Sequence, residues 1–95
     1  MKRVSLSKYV ELALRHAEYE TGESSECVVA EVPDLPGCLT QGHIFKEARE
    51  NLKEAIELWV AICLSKGRIP PPLDGCTIAD ARTVKVLHKK AYVKA

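Results

Sequence analysis

The side chains of this chain that could do chemistry are its acids, its three histidines and its four cysteines, and their spacing limits what each can do. Asp34 is the only acid in VPDLPGC, Val32 to Cys38, where two prolines bracket Asp-Leu and a glycine follows. Together with Glu18, Glu20 or Glu31 it would offer oxygen ligands to a divalent cation if a hairpin gathered these residues at one point. Acids on a solvated strand face are ordinary, and a turn aspartate more commonly bonds a nearby backbone amide, so Asp34 is read as part of a corner. His16, His43 and His88 lie far apart, none in an H-E-x-x-H pattern or beside a cysteine at ligand spacing. No G-x-S-x-G elbow and no glycine-rich phosphate loop occurs. Cys27, Cys38, Cys63 and Cys76 form no C-x-x-C pair and read as reduced thiols of a folded interior. No catalytic residue, metal ligand or cofactor is assigned, and the chain is not expected to be an enzyme.

The elements that would position these residues alternate in type. Leu6, Tyr9, Val10 and Ala13 share one helical stripe, which predicts a short amphipathic helix from Leu6 to about Arg15, with Ser5 or Ser7 as its N-cap. Residues 16 to 20 alternate, TGESS at Thr21 to Ser25 carries turn chemistry, and ECVVAEV at Glu26 to Val32 is rich in β-branched residues. This pattern predicts a hairpin. In VPDLPGC each proline fixes its own φ, gives up an amide donor and holds Val32 or Leu35 extended, while Gly37 is free to take a positive φ. Pro33, Pro36 and Gly37 therefore make a stiff corner, followed by a third short strand from Cys38 to Gln41 that ends at Gly42.

The longest element is predicted within HIFKEARENLKEAIELWVAICLSKG, where Phe45, Ala48, Leu52, Ala55, Ile56, Trp59, Ile62 and Cys63 recur at helical spacing. Gly67 is the expected C-terminal cap, and Pro70, Pro71 and Pro72 forbid continuation. Leu73 to Ile78 reads as irregular with a DG turn, and TVKVL at Thr83 to Leu87 as a fourth strand. Trp59 shares the stripe of Ile56 and Cys63 and reads as a core or dimer-interface anchor.

Bulk properties narrow the class. At 95 residues, 46% apolar and 28% charged, the chain fits one small folded domain spanning 1–95. A formal charge of +1 argues against a strongly basic nucleic-acid binder, and the lysines of KVLHKKAYVK read as a solvated tail. No apolar run approaches the roughly 20 residues that a bilayer demands, so a cytoplasmic protein with no membrane partner is expected.

PDLPGCLTQG followed by FKEARENLKEAIELW and GRIPPP resembles the HicB family of antitoxins and antitoxin-like proteins. The resemblance covers about Cys27 to Pro72, within a family core of about 16–72. The resemblance implies an α+β fold: a small, mainly antiparallel sheet of three to four strands with one long helix across a face, a reduced ribonuclease H-like or double-stranded-RNA-binding-like layer. The helix at Leu6 is an extra element in front of it. It also implies a binding protein, one that would neutralise a small HicA-type RNA-cleaving toxin by masking its active surface. Two departures stand out. Leu73 to Ala95 is too short for the C-terminal DNA-binding module many members carry, so direct DNA binding is not expected, and His43-Ile44 stands where the family has a helix-capping pair.

On this reading Asp34 and Leu35 are the partner contacts, and Leu35→Ala is expected to weaken binding while leaving the melting temperature nearly intact. The alternative is a stand-alone HicB-like homo-oligomer, dimer or tetramer, with an unidentified regulatory partner or ligand. A residual ribonuclease H-type nuclease is the least favoured reading, because it needs carboxylates converging on a metal and only Asp34 and scattered strand glutamates are on offer.

Overall fold

The computed structural model describes residues 1–22 and 27–78. The remainder of the TGESS turn and the expected strand at Thr83 to Leu87 lie outside the described residues. Within them the order is β1 (Lys2–Arg3), α1 (Leu6–Arg15), β2 (Glu18–Thr21), β3 (Val28–Glu31), β4 (Leu39–Gly42), α2 (Phe45–Ser65) and β5 (Cys76–Thr77). The architecture is the α+β layer expected: an antiparallel sheet in the order β2-β3-β4, with α2 packed across one face and α1 against α2. No helix among the described residues is long and apolar enough to cross a membrane.

α1 starts where a hydroxyl is available. Ser5 is extended, and its Oγ accepts from the Lys8 amide at 3.1 Å, satisfying one of the first-turn donors that a helix leaves open. Tyr9, Val10, Leu12 and Ala13 are buried, so one face of the helix joins the core. The Tyr9 hydroxyl donates to the Pro71 carbonyl at 2.6 Å and ties α1 to the proline-rich exit. Burial, with a smaller contribution from the nearby Cys63 and Asp34, pushes this phenol well above its ordinary value, so it remains a donor at any working pH.

α2 has no side-chain cap at Ile44, as the sequence implied. Glu47 supplies the substitute: its carboxylate accepts from the His43 amide at 3.0 Å, the returning half of a capping box shifted by one residue. Ala48, Leu52, Ile56 and Val60 form the buried stripe and meet Val28 and Ala30 of the sheet. At the other end Gly67 takes φ +73°, and the amides of Lys66, Gly67 and Arg68 close back onto the carbonyls of Ile62, Cys63 and Leu64. The helix therefore ends with those carbonyls satisfied.

One pairing was not visible in the sequence. The N-terminal Lys2–Arg3 lies parallel to Cys76–Thr77, with Lys2 opposite Cys76 and Arg3 opposite Thr77. A two-residue strand has no measurable alternation, so periodicity could not reveal it. The DG turn that precedes β5 is present. Asp74 and Gly75 both have positive φ, 51° and 75°, and Leu73 and Cys76 exchange backbone hydrogen bonds at 3.0 and 2.8 Å. This is type I′ geometry, the turn that Asp-Gly favours.

Candidate binding surface and the proline corner

VPDLPGC folds as two turns back to back. The Leu35 amide donates to Val32 O at 3.0 Å and the Cys38 amide to Leu35 O at 2.9 Å, while the Val32 amide closes the loop onto Cys38 O at 3.1 Å. Pro33 and Pro36 each occupy the second position of a turn, and Gly37 follows Pro36 with φ +82°, the type II arrangement. Each turn spans three residues, so Val32, Leu35 and Cys38 fall on the same side and are all buried. Pro33, Asp34, Pro36 and Gly37 face outward.

This arrangement corrects the expectation for Leu35. Its side chain is 0% exposed and belongs to the hydrophobic core, so it is not a surface contact in the folded chain. The prolines favour the turns, and the two consecutive i to i+3 bonds bring every third residue to the core side, whereas the sequence reading used only the stiffness of the prolines.

Asp34 remains on the surface, with a partner the sequence did not suggest. Its Oδ1 lies 3.1 Å from His16 Nδ1, and the other ring nitrogen, Nε2, lies 3.0 Å from Asp74 Oδ1. His16 thus joins the end of α1, the proline corner and the DG turn. The two carboxylates sit on opposite ring nitrogens and do not converge on one point, and no group of three potential metal ligands forms among the described residues. Asp34 is therefore engaged away from the strand glutamates with which a cation cluster was conceivable. No sequence signal could reveal a triad drawn from positions 16, 34 and 74.

The hydrogen bond to Asp74 raises the imidazole above its ordinary value, burial opposes the rise, and Asp34 adds to it. A histidine whose pKa is higher in the folded state contributes its full stabilisation below the unfolded value and loses it as pH climbs through the folded one. His16→Gln should therefore cost more at about pH 5.5 than at about pH 8.5, by no more than about 1 kcal/mol for so accessible a site. Urea unfolding of both proteins at the two pH values measures this, and equal losses at both would contradict a charged bridge.

Trp59 is half-buried, and its indole N–H donates to the Pro36 carbonyl at 2.9 Å. It braces the corner against α2 within the chain, packed on the edge of the core.

The sheet face opposite the helices is an exposed surface with mixed chemistry. Pairing of Glu18 with Glu31, Glu20 with Val29, Val29 with Gln41 and Glu31 with Leu39 sets these side chains on one face. All six are exposed, Val29 by 37% and Leu39 by 57%, and no described element lies over them. The other face holds buried Val28 and Ala30. Three carboxylates around two apolar side chains make a surface suited to a cationic partner that brings apolar contacts of its own.

A two-layer α+β domain with an acidic sheet face that no described element covers is the class of protein this geometry defines. The UPF0150-like family pattern matches residues 8–71, and the chain belongs to that family. It is similar to the UPF0150 protein Ta0767 of Thermoplasma acidophilum, 56% identical over 32 residues that cover 34% of this chain and 46% of the relative. A UPF0150 protein of Archaeoglobus fulgidus is 50% identical over 34 residues, 36% of this chain and 49% of the relative. The chain thus spans about half the length of the curated relatives it matches. Among solved structures it resembles the crystal structure of TTHA0281 from Thermus thermophilus, with TM-score 0.71 and 38% identity, covering 79% of this chain and 93% of that one.

Proposed function

We infer that the protein is an antitoxin-like binding protein that neutralises a small RNA-cleaving toxin of the HicA type by covering its active surface. The observation that carries this reading is the exposed sheet face of Glu18, Glu20 and Glu31 around Val29 and Leu39. A protein that cleaves RNA must hold a polyanion and so presents a cationic surface, and an acidic face competes for it. The HicB resemblance of PDLPGCLTQG and the helix after it supports the same conclusion. The chain acts by binding, and the chemistry belongs to the partner.

A homo-oligomer, dimer or tetramer, accompanies this reading. β2 and β4 are the edges of the three-stranded sheet, and unpaired strand edges favour association. The test is co-purification with the product of each neighbouring small reading frame, followed by RNA cleavage by that product with and without this protein. A stable complex that silences cleavage is expected. A cleaving product that ignores the protein would contradict the reading.

A further inference from the structure

The C-terminal half of α2 carries a second surface on the helical side of the molecule, away from the exposed sheet face. Between the proline corner and the end of the helix, Pro36, Trp59, Ile62 and Ile69 line a groove of about 400 Å³, within the range of ordinary ligand sites. Ile62 and Ile69 are each 44% exposed, and neighbouring Leu58 is 62% exposed. Exposed apolar side chains that gather around a groove and are rimmed by polar residues are a recurrent feature of interaction sites. Lys66 and Arg68 form the rim, both exposed, and neither has an ion-pair partner among the described residues. Their side chains are not needed as hydrogen-bond caps for Ile62, Cys63 and Leu64, whose carbonyls already accept from backbone amides and, at Ile62, from the Ser65 hydroxyl.

We propose that this groove binds a short peptide segment of a partner protein in which a bulky apolar side chain sits beside carboxylates. The apolar side chain fills the floor against Trp59, and the carboxylates meet Lys66 and Arg68. Charge selects this occupant over the chain's own remaining residues: positions 79–95 hold Arg82, Lys85, Lys89, Lys90 and Lys94 against the single acid Asp80, and a cationic rim repels them. The site does not depend on the antitoxin reading, since it uses none of the sheet-face residues.

Trp59 is the only tryptophan, so its emission reports the groove directly. The experiment titrates the full chain with a capped synthetic peptide of alternating leucine and aspartate, and with its leucine–lysine counterpart, followed by tryptophan fluorescence and calorimetry. The aspartate peptide should bind saturably, shift the emission to shorter wavelength, and weaken as salt rises through the range where exposed charges are screened. A Lys66→Gln/Arg68→Gln double variant, both positions being exposed, should melt close to the wild type yet bind about tenfold more weakly or worse. No saturable binding, equal binding of the lysine peptide, or undiminished binding by the double variant would each overturn the proposal.

Discussion

Leu35→Ala should lower the unfolding free energy by about 2–5 kcal/mol, the cost of removing a fully buried leucine side chain and leaving its cavity unfilled. Leu35 is 0% exposed at the centre of a loop whose three backbone hydrogen bonds hold it in place, so the cavity has little means of collapse. A protein of this size has only a few kcal/mol in reserve, and the variant should be partly unfolded at moderate temperature. Chemical denaturation measures the effect. A variant with unchanged stability that had nevertheless lost a partner would place Leu35 on the surface in solution and contradict the fold described for the corner.

The second large effect is at Gly42. A Cβ added there would lie 2.5 Å from the Ala48 backbone nitrogen and 2.9 Å from its Cα, so β4 and the first turn of α2 would have to separate. The neighbours are backbone and cannot swing aside. Gly42→Ala should cost about 1–3 kcal/mol or more, as overpacking does in a closed interior. Gly37→Ala is the informative comparison, because a Cβ at Gly37 meets nothing within 4 Å and only its φ of +82° is strained. That strain costs about 1–2 kcal/mol. Gly42→Ala should therefore be the more damaging of the two in parallel thermal melts, and the reverse order would show that the approach of α2 to β4 is looser than the structure has it.

These two positions also show where sequence reasoning stops. Both helices were legible, because stripes at three- and four-residue spacing over ten residues or more are strong signals, and α1 has the predicted bounds of Leu6 to Arg15. The corner was legible as a corner, since Pro-Gly chemistry dictates the turn. Which way Leu35 points was not, because direction depends on the two consecutive i to i+3 bonds and on the core waiting beneath them. Gly42 read only as the end of a strand. Its actual requirement is room for Ala48, a tertiary fact with no local signature. The exposed sheet face was implicit in the alternation of Glu18, Glu20, Val29 and Glu31, but whether a layer covers that face is decided by where the helices pack. His16 joins Asp34 and Asp74 across 18 and 58 residues, and no spacing rule reaches that far.

The central claim is that the acidic sheet face is what binds an RNA-cleaving partner. The most direct measurement is the amount of protein needed to halve RNA cleavage by the co-purifying toxin, compared between the wild type and a Glu18→Lys/Glu20→Lys/Glu31→Lys variant. All three positions are exposed, so the variant should stay folded, which its melting curve checks. The account predicts that the variant is needed at about tenfold higher concentration or more, with the wild-type complex weakening as salt is raised. A folded variant that inhibits as well as the wild type would remove the sheet face from the interaction and contradict the account.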